Sequence, residues 1–366
     1  MTTSIPSPML ILTNQLITGG AEMYVVSVSS WLVERGVRTI VAATPGELVE
    51  KLDPRVTYHP TALRDLRARI PLAAWRMRSL IRQHRPKLIL TNSMVTSWVA
   101  RLADPRRTIP IVSVAHGWPA DKYWLVARPL AVADRVVAVS TDVRRRLVEA
   151  GLPADRCVVV DNGIDTRRFG PRSAEQLASA RALMGVGPDE VVAINVGRFV
   201  PQKAQHRIIE LAAATRATCP ELRFVLVGWG MLEDALRARI EALQVQDRVR
   251  IVIRPPSVPD LLLASDLYLS TSDWEGMPLS TIEAMAAGLP VVSTDVEGLR
   301  ALVDPTNGAL TPVGDAAALQ AAVTRLTHDE VHRLGQGAAS RAKVERRFSL
   351  DAMCQNLMAV LRDVAG

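Results

Sequence analysis

The chain has 366 residues, roughly twice the length of one ordinary domain, so two α/β domains are the starting expectation. Hydrophobic residues at 48% and charged residues at 22% exclude a mainly disordered or collagenous chain. The three cysteines, Cys157, Cys219 and Cys354, form no Cys-x-x-Cys pair, which excludes a disulfide framework and a structural zinc site and fits a reducing cytoplasm.

The net charge of +7 conceals an asymmetry: residues 1–168 carry 24 Lys+Arg against 14 Asp+Glu, and residues 169–366 carry 20 against 23. Residues 1–8 lack the charged start and long apolar run of a secretory signal, and no uninterrupted apolar run approaches about eighteen residues, so neither secretion by that route nor a membrane span is expected.

In chain order, residues 8–13 predict a buried strand. A loop holding Gly19-Gly20 then leads into a helix ending near Arg35-Gly36, and a second strand covers 37–42. The densest positive charge follows at Arg64, Arg67, Arg69, Arg76, Arg78, Arg82 and Arg85. Such a face suits nucleic acid, anionic lipid or a phosphorylated substrate, or is simply solvated. Aromatics at 4% leave few stacking platforms and argue against nucleic acid. Strands over 87–91, 109–115, 135–139 and 157–160 alternate with helix-length segments, which implies a parallel, doubly wound sheet. The pattern restarts after a linker near 163–172 with a helix over 172–184 and strands over 191–196, 224–227, 249–253, 267–269 and 291–293. The resulting domains are 1–165 and 170–347, with a ligand cleft expected at the carboxyl ends of their strands.

Several loops carry chemistry. Gly19-Gly20 lies between a strand and a helix, where a phosphate can approach backbone N–H groups, or where glycine merely makes a turn. The G-x-G-x-x-G spacing is missing and the second strand ends without an acidic residue, so NAD is disfavoured. Arg198 and Lys203 are five residues apart across a proline-containing loop. They can converge on one diphosphate, Arg as a fork and Lys as a point charge, or remain two solvated cations. The segment from Asp273 to Glu283 turns at Gly276 and places Pro278 at an expected first helical position. Its N–H groups around Met277, Leu279 and Ser280 then face an anion. Glu283 can accept from a ribose diol and Glu275 from sugar hydroxyls; the plainer reading of Glu283 is a helix-start acid favoured by the dipole. His116-Gly117 closes the 109–115 strand at the cleft edge, as a ligand contact or a structural imidazole. Apart from His328 and His332, which stand four residues apart, the histidines show no metal-ligand spacing, and Asp-x-Asp is missing, so no metal is expected. Gly228-Trp229-Gly230 reads as an architectural turn, with a phosphate loop as the alternative. Serine-hydrolase elbow and P-loop motifs do not occur.

Taken together, Gly19-Gly20-Ala21-Glu22, His116-Gly117, Val160-Asp161-Asn162-Gly163-Ile164-Asp165, Gly197-Arg198 with Lys203, and Glu275-x7-Glu283 running into Ala284-Met285-Ala286-Ala287-Gly288-Leu289-Pro290 resemble the retaining glycosyltransferases of family 4 over nearly the whole chain. The resemblance implies a GT-B fold of two facing Rossmann-like domains, the first on the acceptor side and the second binding the nucleotide sugar, with the C-terminal helix of 348–366 packing back on the first. It implies a UDP-sugar donor and no other cofactor, with Arg198 and Lys203 on the diphosphate and amides near Gly19 and Gly20 beside it. Glu283 would hold the ribose. Glu275, Gly276, Met277, Pro278 and Leu279 would hold the sugar, and His116 would touch it from the first domain. Ala204 departs from the glycine frequent after the lysine, and Val296-Glu297-Gly298-Leu299 departs from the usual paired glycines.

The mechanism implied is metal-independent transfer of a hexosyl or N-acetylhexosaminyl group with retention, the departing phosphate serving as base and fixed cations stabilising its charge. The acceptor stays open. Trp75 and Leu72 among the arginines suit a lipid-linked or anionic acceptor at the inner membrane face, whereas Trp118, Tyr123 and Trp124 can line a pocket for a small molecule or sugar. Rival readings are a sugar-nucleotide epimerase of the same architecture and a non-catalytic membrane-surface protein.

Overall fold

The computed structural model describes residues 5–62 and 70–365. The chain forms two compact units, Met1–Gly163 with Leu350–Gly366, and Ile164–Ser349.

The first unit runs β1 (Met9–Gln15), α1 (Gly20–Glu34), β2 (Thr39–Thr44), β3 (Thr57–Pro60), α2 (Ile70–His84), β4 (Leu88–Thr91), α3 (Met94–Ala103), β5 (Ile111–Ala115), α4 (Tyr123–Leu130), β6 (Arg135–Ala138), α5 (Thr141–Glu149) and β7 (Cys157–Val159). All its strands pair in parallel, in the order β3-β2-β1-β4-β5-β6-β7. The strands are apolar runs rather than alternating ones because both faces are covered: Met9, Leu10, Ile11 and Leu12 are fully buried. Strand order reverses between β1 and β4. Right-handed crossovers therefore place α1 on one face of the sheet and α2 to α5 on the other, where successive helices pack side by side.

The second unit runs α6 (Ala174–Met184), β8 (Val191–Val196), α7 (His206–Ala214), β9 (Leu222–Val227), α8 (Glu233–Ala242), β10 (Val249–Val252), α9 (Val258–Leu263), β11 (Leu267–Ser270), α10 (Leu279–Ala286), β12 (Val291–Thr294), α11 (Glu297–Arg300), β13 (Gly308–Thr311), α12 (Ala316–His328) and α13 (Glu330–Arg347). Its parallel sheet has the order β10-β9-β8-β11-β12-β13 and reverses between β8 and β11. Phe199, Phe224, Leu226, Leu267 and Val292 fill one side of it with Leu319 and Val323 of α12.

The last helix, α14 (Leu350–Ala365), belongs to the first unit and packs on α1. It buries Met353, Cys354, Leu357, Met358 and Leu361. Asp351 anchors its start by accepting from Trp31 Nε1 at 2.6 Å and pairing with Arg35 at 2.8 Å. Asp363 meets Arg135 at 2.7 Å near its end.

The expected pair of parallel, helix-flanked sheets is present. The 191–196 strand coincides with β8, and the other predicted strands lie within two residues of observed ones at each end. Two edge strands, β3 and β13, were not expected from the sequence. Of the arginine-rich segment, Arg64, Arg67 and Arg69 lie outside the described residues.

Candidate active site

In open parallel sheets, ligands sit outside the carboxyl ends of the strands where the strand order reverses. Each unit has one such point, and the residues singled out from sequence gather at both.

In the second unit the switch point is flanked by the loops after β8 and β11. The β8 loop passes through Gly197 and exposed Arg198 into a short 3-10 turn at Pro201–Lys203. The β11 loop carries Ser272, Asp273, Trp274 and Glu275. The two loops are tied backbone to backbone, since Asp273 N donates to Gln202 O at 2.9 Å, and by Thr271 Oγ1, which donates to Ala204 O at 3.0 Å. Lys203 Nζ meets Glu275 Oε1 at 2.5 Å, and Ser272 Oγ donates to the same oxygen at 2.6 Å. The Glu275 side chain is only 6% exposed, so this ion pair is largely desolvated. The second oxygen, Oε2, has a 3.4 Å contact from Gln202 Nε2. Lys203 thus stands beside Glu275, 72 residues away in sequence, and not simply beside Arg198.

Helix α10 starts one residue later than expected. Pro278 is the N-cap in an extended conformation and has no side-chain oxygen to cap the helix, so the first helical residue is Leu279. Met277 and Pro278 are buried, Leu279 is half-buried, and Glu283 lies in the second turn. Glu283 Oε1 stands 3.5 Å from Arg168 Nη1, a guanidinium on the 3-10 turn Thr166–Phe169 that sequence reasoning did not single out.

Glycines set how closely these loops approach. A Cβ on Gly298, in α11, would stand 2.5 Å from Gly276 O and 2.6 Å from Glu275 O, so the missing side chain lets α11 support the Glu275-Gly276 turn directly. A Cβ on Gly228 would collide with Gly197 O, and one on Gly230 would stand 2.5 Å from Phe199 O. The Gly228-Trp229-Gly230 turn thereby buttresses the loop that carries Arg198. Ala204 adopts the left-handed conformation, φ 46° and ψ 40°, that glycine takes without strain.

In the first unit, Gly19 and Gly20 follow β1, and Asn92 follows β4. Gly19 is the N-cap of α1 with extended backbone, φ −172°, so a left-handed turn is not what requires it. The Glu22 carboxylate folds back over the position, so a Cβ there would displace only the end of that flexible side chain. Asn92 is buried. Its Nδ2 donates to Ala21 O at 2.7 Å, which fixes the amide orientation and turns Oδ1 towards His116 Nε2 at 2.6 Å. The network therefore assigns the His116 proton to Nε2 and leaves the Nδ1 lone pair as acceptor. Tyr24 packs edge-on against the imidazole, with ring centroids 5.3 Å apart. Desolvation pulls the His116 pKa down to about 4, so the ring is neutral at physiological pH. Asn92 was missed because only its place after β4, next to two other loops, gives it meaning.

Neither three-ligand metal cluster nor membrane-crossing helix occurs among the described residues.

Residues 18–168 match the family model for glycosyltransferase family 4, and residues 182–343 match that for glycosyl transferases group 1. The chain is 31% identical over 356 residues to a D-inositol 3-phosphate glycosyltransferase of Geodermatophilus obscurus, covering 84% of this chain and 78% of that protein. It is 25% identical over 316 residues to the UDP-Gal:alpha-D-GlcNAc-diphosphoundecaprenol alpha-1,3-galactosyltransferase of Escherichia coli, covering 80% of each. In fold it is similar to the crystal structure of Anabaena HepE in complex with UDP and glucose, with TM-score 0.85 and 23% identity over 97% of this chain and 99% of that one. Its two Rossmann-like sheets are those of GT-B enzymes, and the chain belongs to glycosyltransferase family 4.

Proposed function

We propose that the protein transfers a hexosyl or N-acetylhexosaminyl group from a UDP-sugar to a hydroxyl of a lipid-linked or glycan acceptor, with retention and without a metal ion. Residues 170–347 bind the donor and residues 1–165 face the acceptor. The observation that carries this reading is the buried Lys203–Ser272–Glu275 cluster at the second switch point, one short turn before the uncapped start of α10.

In this reading Arg198 and Lys203 take the diphosphate, the Arg by a fork and the Lys as a point charge. The amides of Gly276, Met277 and Leu279 at the Pro278 turn, with those at Gly19 and Gly20, supply further positive ends. As the glycosyl bond breaks, negative charge grows on the leaving phosphate, and these fixed groups stabilise it without reorganisation. Glu275 spends Oε1 on Lys203 and Ser272 and keeps Oε2 for a sugar hydroxyl. Glu283 accepts from the ribose diol once Arg168 yields. Neutral His116 offers its Nδ1 lone pair to a hydroxyl; it carries no charge and no proton there, so it serves as acceptor, not as acid. The acceptor then attacks from the face the phosphate leaves, and the phosphate takes its proton.

A panel of sugar nucleotides tests this by thermal stabilisation and by turnover in excess chelator, since a ligand that binds only the folded state raises its apparent stability. A UDP-sugar is expected to stabilise the protein and to be consumed in chelator, giving a product of unchanged anomeric configuration by NMR. Activity recovered only on adding magnesium or manganese, an inverted product, or donor isomerisation without acceptor would each overturn the corresponding part.

A further inference from the structure

Helices α2, α3 and α4 lie in one layer on a single face of the first sheet. Among the described residues, eleven large hydrophobic side chains are exposed, and six of them are on these three consecutive helices: Leu72, Trp75, Trp98, Leu102, Trp124 and Leu125. Scattered exposed apolar residues need no explanation, but a cluster holding three tryptophans does. Trp75 is 69% exposed and Trp124 67%.

The exposed charge on α2 has one sign: the helix carries Arg76, Arg78 and Arg82, and neither α2 nor α3 contains Asp or Glu. On α2, Ala73, Ala74, Met77 and Leu80 point into the protein. At helical spacing Leu72 and Trp75 then occupy the middle of the outward face, with Arg76 on one flank and Arg78 and Arg82 on the other. These three arginines are exposed, and none has an ion-pair partner among the described residues.

We propose that the outer face of the α2–α3–α4 layer docks on a membrane surface rich in anionic lipid, with Trp75 and Trp98 at headgroup depth and Arg76, Arg78 and Arg82 on lipid phosphates. Tryptophan suits that depth because one end of the ring is apolar and the other is a donor. A bilayer accepts both halves of the patch, whereas a nucleic-acid backbone has no use for Leu72, Leu102 and Leu125. Two copies of the chain meeting through this face would set arginines against arginines without an acid on α2 or α3 to answer them. The surface does not depend on which acceptor is used.

The test is co-sedimentation of the full chain with vesicles of phosphatidylcholine alone and of phosphatidylcholine with about 30% phosphatidylglycerol, a fraction chosen to give a strongly negative surface. Partition onto the anionic vesicles is expected to exceed that onto neutral ones by about tenfold or more, to fall as salt shortens the Debye length, and to shift tryptophan emission to the blue. Trp75→Ala with Trp98→Ala, and separately Arg76→Glu with Arg78→Glu and Arg82→Glu, are expected to reduce partition about tenfold or more while leaving the thermal melt and donor hydrolysis unchanged. Equal partition onto both vesicle types, partition indifferent to either set of substitutions in folded protein, or heparin binding that survives the tryptophan changes would overturn the proposal. So would a dimer in light scattering that the same tryptophan changes dissolve.

Discussion

Lys203 Nζ and Glu275 Oε1 lie 2.5 Å apart on loops that leave neighbouring strands of one sheet, and the Glu275 side chain is almost wholly withdrawn from water. Truncating either partner leaves the other charge uncompensated. Lys203→Ala or Glu275→Ala is expected to cost about 2–4 kcal/mol of stability, and the double variant less than the sum. Denaturant titration of the four proteins checks this; strict additivity would show the pair to be uncoupled. Lys203→Ala and Glu283→Ala are each expected to lower turnover by about 10²-fold or more, measured with donor at saturation.

Gly298 tests how the Glu275 turn is held. In Gly298→Ala the new methyl would press on Gly276 O and Glu275 O, so the turn must move. Overpacking of this kind costs about 1–3 kcal/mol, and donor KM is expected to rise with it. A variant with unaltered donor affinity and melting temperature would mean that α11 gives way instead.

Ala204→Gly should stabilise the protein. A left-handed alanine carries about 1–2 kcal/mol of strain that glycine avoids, offset in part by glycine's greater freedom in the unfolded chain. A net gain of about 0.5–1 kcal/mol is expected in chemical denaturation, with turnover unchanged, because the residue's carbonyl and not its methyl bonds Thr271.

The Asn92–His116 contact predicts both a tautomer and a pH dependence. Nitrogen NMR should report the Nε2–H form of His116 in the wild type. Asn92→Ala should release that preference and lower kcat/KM, whereas Asn92→Asp should keep the tautomer and raise the imidazole pKa. Because folding lowers the pKa to about 4 from its ordinary value of 6.5, the unfolded chain binds the proton more readily between those values. The His116 contribution is therefore complete above pH 6.5 and is lost as pH falls towards 4. The difference in unfolding free energy between wild type and His116→Gln should shrink over that window on acidification. A pH-independent difference would count against a neutral, desolvated ring.

The central strands were legible because both of their faces are covered, and burial there leaves an uninterrupted apolar run. Val191–Val196 is such a case. Of the four edge strands, β7 and β10 were legible and β3 and β13 were not. Thr57–Pro60 is half-exposed and ends in proline, and Gly308–Thr311 opens on a glycine required by the close approach of Val291. At the site, residue types and loop positions were readable, since glycines, cations and carboxylates stood out after predicted strands. Which side chain meets which was not. Glu275 with Lys203, Glu283 with Arg168, and Asn92 with His116 are joined by sheet topology across 72, 115 and 24 residues. Pro278 was placed one residue too far into its helix because the rule for proline at a helix start does not separate the cap from the first turn.

The final helix makes the amino-terminal domain a product of two segments separated by the whole of the second unit. A polypeptide stopped at Gly163 would leave Trp31 without Asp351 and would open the α1 surface that Met353, Cys354 and Leu357 now cover. One stopped at Ser349 would damage the lobe farthest away in sequence while sparing the one just completed. On the ribosome the first lobe therefore waits for Leu350–Gly366, made after the whole second unit, before its hydrophobic interior can close.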